Sequence, residues 1–368
     1  MESPRLVQLV DSRIVEFLVS RDSIVSRIAP ELSPFALYSR DLLSGGKRFR
    51  AQFCYWGWRA ISPAVSDTAA PAESELDALV DLCAGLELFH AAALVHDDII
   101  DNSDTRRGRP SVHRRFETLH AEQNWRGPGR SFGEGSAILL GDLLLAWSDE
   151  LISRAVLGAP SLETLVAARE AVDVMRTEVT LGQYLDLLEE RAWATVDPQQ
   201  SLERAERVIV YKSAKYSVEA PLVIGASLRG ASVEQLDSLR RFGLPLGIAF
   251  QLRDDLLGVF GDAERTGKPS GDDLREGKRT VLVSLTRARL DPSARRLFDE
   301  LLGDPELDDS QIRMLQQTMR ETGAVAEVET MIGERVRTAL GELQRAPIGE
   351  TARVELASLA RVITQRES

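Results

Sequence analysis

Two long runs of this chain are apolar on nearly every helical face, and both finish in aspartates: ELDALVDLCAGLELFHAAALVHDDIID (75–101) and RRFGLPLGIAFQLRDDLLGVFGD (240–262). A helix that is apolar all round is buried on most sides. A buried helix that ends in carboxylates is unusual, because unpaired buried charge is costly. The fold must therefore enclose both runs while something cationic meets their ends.

The rest of the chain is helical by the same spacing rule. Apolar residues recur every three or four positions over 6–28, 73–100, 136–157, 161–190, 200–228, 232–260 and 308–343. Ser232 with Gln235 makes a capping box before one of these runs. No alternating strand pattern and no paired hairpin signal stands out. The breaks, PAVSDTAAPA (63–72), QNWRGPGRSFGEG (123–135), ATVDPQQ (194–200) and GDAERTGKPSGDD (261–273), are too short for domain linkers. The expectation is one large all-α domain over residues 1–368, without solenoid repeats.

Composition narrows the function classes. At 43% hydrophobic and 28% charged residues the chain reads as an ordinary soluble globular protein. A net charge of −12 argues against a nucleic-acid partner, which needs a basic face. It leaves an anionic substrate open, because a local basic cluster can oppose the global sign. Cys54 and Cys83, in apolar surroundings, read as reduced core residues of a cytoplasmic protein. The N-terminal stretch carries scattered charges and lacks the apolar core of a signal peptide. The longest apolar-looking stretch, AILLGDLLLAW (137–147), is short of the roughly 20 residues that cross a bilayer, so no membrane anchor is expected.

Asp97 and Asp101 are four apart and Asp98 and Asp101 three apart, spacings that put carboxylates on one helical face. Asp104 follows, and a second cluster holds Asp254 and Asp255, with Asp262 further on. Oxygen ligands without histidine or cysteine select hard ions, Mg²⁺ before Zn²⁺. Mg²⁺ takes one or two carboxylates, waters and substrate phosphates. Two such clusters facing one cavity would clamp a polyphosphate; the plainer alternative is that they are solvated helix ends. Basic residues come in matching groups. SGGKRFR (44–50) offers Lys47, Arg48 and Arg50 after two glycines, Arg106 and Arg107 follow the first acidic cluster, and Lys212 and Lys268 lie in VIVYKSAKY and ERTGKPSGDD. Each alone reads equally as charge neutralisation or a surface lysine; as a set they suit diphosphate oxygens.

In these motifs the chain resembles the trans-isoprenyl diphosphate synthases, most closely the bacterial geranylgeranyl diphosphate synthases. HDDIIDNSDTRRG (96–108) is similar to the family's first aspartate-rich motif and FQLRDDLLGVFGD (250–262) to its second. GGKRFR, GQYLDL (182–187), YKSA (211–214) and GKPSGDDLREGKRT (267–280) resemble the remaining motifs, in the family's order.

The resemblance implies a large isoprenoid-synthase-type helical bundle around a central cavity, a homodimer, with the two acidic motifs across its mouth. It implies that Asp97, Asp98 and Asp101 on one side, and Asp254 and Asp255 on the other, bind Mg²⁺, three ions in all. Arg106, Lys212 and Lys268 would contact an allylic diphosphate. Lys47, Arg50, His90 and Arg107 would bind isopentenyl diphosphate without metal, and Gln183, Asp186 and Gln251 would support these shells. The reaction would be ionisation, condensation and proton loss. Ala92 and Ala93 would form the upper floor of the product cavity, and Phe89 the next floor. Small residues there equally allow close helix packing, and Phe89 equally reads as core. Two alanines imply geranylgeranyl diphosphate or a longer product. One position departs from the pattern: the second motif usually reads DDxxD and here ends in Gly258, with Asp262 one turn on as a replacement through water. The rival readings are a longer-chain polyprenyl diphosphate synthase, a terpene cyclase, which would not need the isopentenyl diphosphate residues, and a non-catalytic regulatory subunit of a hetero-oligomeric synthase.

Overall fold

The computed structural model describes residues 3–61, 72–195, 197–261 and 270–365. These are almost entirely helical and divide into two compact units, 1–171 with 221–231, and 172–220 with 232–368.

The first unit contains α1 (Ser3–Ile28), α2 (Ser33–Leu43), α3 (Phe49–Ala60), α4 (Glu73–Ile100), α5 (Val112–Glu122), α6 (Gly129–Leu157), the start of α7 (Leu162–Ala192) and α9 (Ala220–Leu228). The first apolar run forms α4, and its residues from Leu79 to Phe89 are all buried. By length and composition α4 could cross a membrane, but 78% of its most apolar window is buried within the protein. Small residues set how closely it packs. A Cβ on Gly85 would fall 2.6 Å from Ile152 Cγ1 of α6, and Ser148 of α6 donates to the Gly85 carbonyl at 2.7 Å. In the same unit α3 lies backbone to backbone with α9, where Cβ atoms on Gly57 and Gly225 would both overlap the facing main chain, at Leu222 and Cys54.

The second unit holds the rest of α7, α8 (Ser201–Val208), a π-helix (Ile209–Glu219), α10 (Val233–Phe260), α11 (Asp272–Glu276), α12 (Val281–Arg289), α13 (Pro292–Leu301), α14 (Asp309–Glu321), α15 (Ala324–Arg345) and α16 (Glu350–Thr364). The second apolar run forms α10, whose inner face joins a core with Leu282, Phe298, Leu315, Met319 and Val328. The capping box is present: the Gln235 N–H donates to Ser232 Oγ at 3.2 Å, and the Ser232 N–H to Gln235 Oε1 at 3.0 Å.

The structure corrects the reading in three places. The run 308–343 is two helices, because Gly323 closes α14 before α15 begins. The run 200–228 changes pitch into the π-helix. A small antiparallel hairpin pairs Thr105 with Pro110 and Arg106 with Arg109. Two-residue strands are too short to show alternation. The hairpin's signature lies instead in its turn, Arg107–Gly108, where both φ angles are positive, at 53° and 70°.

Candidate active site

In the first unit the fold gathers most of the basic residues singled out from sequence. Arg48 stands just before α3 in the left-handed region, with φ of 50°. Its guanidinium turns inward, donating to Asp11 at 2.9 Å and to Glu87 of α4 at 3.3 Å. Glu87 in turn accepts the Ala51 N–H at 3.3 Å. Arg48 is thus the anchor of the Gly-Gly loop, a role that residue type alone did not reveal. The Arg107 guanidinium lies over Gly46, about where a Cβ would add contact at 3.7 Å, and donates to the Leu42 carbonyl at 3.5 Å. His90 sits amid this group: burial first, then the charges of Arg50, Arg107, Arg106 and Arg48, hold its imidazole well below the ordinary histidine value. It is neutral at pH 7. Lys47 is exposed, its ammonium 5.9 Å from the Phe49 ring centroid.

The last turn of α4 carries Asp97 and Asp98, with Asp101 as its C-cap. Arg106, held by the hairpin, reaches back over them: its Nε donates to Asp98 Oδ1 at 2.8 Å, and its Nη2 lies 3.5 Å from Asp97 Oδ2. The hairpin is itself tied down, since the Ser111 N–H donates to the Asp104 carbonyl at 2.9 Å and Arg114 pairs with Asp104 at 2.7 Å. Further back along α4, Ala92 is 0% exposed, Ala93 is half-buried and Phe89 is buried.

The second unit places Lys212 in the π-helix. Its ammonium pairs with Asp186 of α7 at 2.5 Å, and half-buried Gln183 stands on the same helix. On α10, Gln251 donates to Asp255 at 2.7 Å, while Asp254 is half-buried. Asp255 is 6% exposed, and burial, with the charges of Asp273 and Asp254, lifts its carboxyl to about 8 against the help of Gln251. Asp262 and Lys268 lie outside the described residues. Sequence reasoning missed Asp273 and Lys278, which joins this group through ion pairs to Glu276 at 2.7 Å and Asp273 at 3.6 Å. The signal was there: both lie in GKPSGDDLREGKRT, where only Lys268 was singled out.

The donor chemistry fits a hard divalent cation. All the acidic ligands offered are oxygens. At Asp255 the neighbouring carboxylates raise a cost that a cation removes.

Comparisons with known proteins agree. The short chain isoprenyl diphosphate synthase of Methanocaldococcus jannaschii is 30% identical over 299 residues, 79% of this chain and 80% of that protein. The geranylgeranyl diphosphate synthase of Methanosarcina mazei is 34% identical over 270 residues, 71% of each chain. A crystal structure of geranylgeranyl pyrophosphate synthase from Corynebacterium glutamicum, complexed with isoprenyl diphosphate and magnesium, superposes over 100% of both chains with a TM-score of 0.91 and 37% identity. The polyprenyl synthetase family itself matches residues 35–319. That match takes in both acidic motifs and every basic group around them, so the chain belongs to the polyprenyl synthetase family and is a trans-prenyltransferase.

Proposed function

We propose that this transferase condenses isopentenyl diphosphate head-to-tail with an allylic diphosphate, and that its product is geranylgeranyl diphosphate. One observation carries the reading: in a chain of net charge −12, Arg48, Arg50, Arg106 and Arg107 converge on a neutral His90 next to Asp97 and Asp98. That is a local anion site beside a cation site, which is what two diphosphates and their metal require.

Asp97, Asp98 and Asp101 bind Mg²⁺ in one unit and Asp254 and Asp255 in the other, three ions in all, and residues 1–368 act as one catalytic domain. When bound, Mg²⁺ supplies Lewis-acid stabilisation of the charge that develops on the leaving diphosphate. Arg106, Lys212 and Lys268 hold oxygens of the allylic diphosphate. Arg106 and Lys212 each pair with a carboxylate, at Asp98 and Asp186, and that supports the reading by holding both cations beside the acidic groups. Lys47, Arg50, His90 and Arg107 hold isopentenyl diphosphate, with His90 adding hydrogen-bonding capacity without further charge. Gln183 and Gln251 support the two sets. The carbon–oxygen bond of the allylic substrate breaks, its electrons leaving with the diphosphate. The isopentenyl double bond attacks the allylic cation, and the released diphosphate takes the proton lost in forming the new double bond. The apolar body of α4 keeps water from the cation.

Ala92 and Ala93 leave room below the acidic motif, and Phe89 follows as the next floor. A homodimer is supported by α7, where Val166, Val174, Leu181 and Tyr184 are all exposed and fall within an arc of about 80° at 3.6 residues per turn. The buried thiols Cys54 and Cys83 are free, which supports a cytoplasmic location.

The test is incubation of the purified protein and Mg²⁺ with radiolabelled isopentenyl diphosphate and, separately, dimethylallyl, geranyl and farnesyl diphosphates. The products are dephosphorylated and sized by chromatography. A dominant geranylgeraniol band, abolished by EDTA, is the expected result. A ladder of longer alcohols assigns the protein to the long-chain synthases instead. No condensation from folded protein with any primer favours a regulatory subunit.

A further inference from the structure

The second acidic motif reads DDLLG, with Gly258 where a third aspartate is expected. Position 258 is one helical turn past Asp254, so a side chain there would share its face. That space is filled. A Cβ built on Gly258 would stand 2.5 Å from Asp273 Cγ and 3.0 Å from Asp273 Oδ1, with Oδ2 closer still. The Asp273 carboxylate therefore lies directly on the bare backbone of α10, and any side chain at 258 would displace it.

Asp273 is also held firmly. It lies in α11, between Gly271 and Gly277, both with positive φ, at 76° and 77°. Gly277 packs on the main chain of Gly303, where a Cβ would come within 2.9 Å of the Cα. The Asp273 carbonyl accepts from the N–H groups of Gly277 and Lys278, both at 3.1 Å. These contacts fix the backbone of the turn, so a side chain at 258 would have to turn the Asp273 carboxylate out of the place it occupies. Asp255 feels the charges of both Asp273 and Asp254, and among the described residues Lys278, shared with Glu276, pairs with Asp273.

We propose that Asp273 supplies the third carboxylate of the second Mg²⁺ site, entering from α11 into the space that Gly258 leaves on α10. Glycine at 258 is then a requirement of this arrangement and not a defect in the motif. The inference rests on the reading of Asp254 and Asp255 as metal ligands, and the experiment separates the two.

Mn²⁺ binding to the intact enzyme, with inorganic diphosphate present, is measured by calorimetry and by electron paramagnetic resonance, so that turnover is not the only readout. Circular dichroism checks each variant's fold. Asp273→Asn, close to isosteric, is expected to weaken one class of Mn²⁺ sites about tenfold or more. Gly258→Asp restores the usual motif on paper, and it is expected to bind Mn²⁺ worse than the parent. The exchange Gly258→Asp with Asp273→Gly is expected to recover most of the lost affinity. If Asp273→Asn binds as the parent does, or Gly258→Asp alone binds as well, the inference is overturned. Asp254→Asn is the reference: if it too leaves Mn²⁺ binding unchanged, the metal site itself has been misread, whereas loss there with no loss at Asp273→Asn overturns only the role of Asp273.

Discussion

Gly182 brings α7 against the backbone of Lys212: a Cβ on the glycine would stand 2.5 Å from the Tyr211 carbonyl carbon and 2.8 Å from Lys212 Cα. One turn further along α7, Asp186 receives the Lys212 ammonium. A single helix face therefore fixes both ends of this lysine, its backbone by close approach and its charge by pairing.

Gly182→Ala is expected to push the π-helix away and carry Lys212 with it. Overpacking of this kind costs about 1–3 kcal/mol. A misplacement of about 1 Å in a substrate-holding group can cost about 100-fold in kcat. Thermal melts with steady-state kinetics check this; a variant with parental kcat would show that Lys212 does not need the contact.

Ala92 is 0% exposed on α4, so a larger side chain there must grow into whatever space adjoins it. Ala92→Phe is expected to shorten the product, from geranylgeraniol towards farnesol after dephosphorylation. Chromatography of the alcohols decides the matter, and an unchanged distribution removes Ala92 from the cavity floor.

Arg48 and Glu87 form a buried pair, their side chains 3% and 5% exposed. Removing one partner of such a pair leaves the other charge uncompensated, at about 3–5 kcal/mol. Arg48→Met is expected to lose that much in denaturant unfolding, and Arg48→Met with Glu87→Gln to recover part of it. A loss in the double variant equal to the sum of the losses in Arg48→Met and Glu87→Gln alone would mean that the pair is not coupled.

His90 is held below the ordinary histidine value in the folded protein. The unfolded chain, with histidine near 6.5, then binds more protons, so stability rises with pH through that window. Stability is fully present above about pH 6.5 and is lost as the pH falls below it, where the unfolded imidazole protonates and the folded one resists. His113, lowered by burial and Arg114, adds in the same direction. Denaturant unfolding between about pH 5 and 7.5 should show this slope, and His90→Gln should flatten it. A slope unaltered in the variant would place its origin elsewhere.

The sequence by itself determined the helical class, the two buried helices and their acidic ends. Those features are local: spacing of three and four along one chain fixes which side chains share a face, and Asp97, Asp98 and Asp101 were legible for that reason. The capping box at Ser232 was legible too, because both partners lie within one turn. Tertiary structure decided what local spacing cannot encode. The basic loop 44–50 announced three cations but not that Arg48 turns inward to Glu87 while Lys47 stays exposed. The bare position 258 points along the sequence to Asp262, which lies outside the described residues; among those described, the carboxylate beside it is Asp273, brought by a turn between two glycines that packs on Gly303. The physical reason is the same in both cases: charge and shape complementarity act between residues distant in sequence, and only packing selects which distant side chain fills a given space.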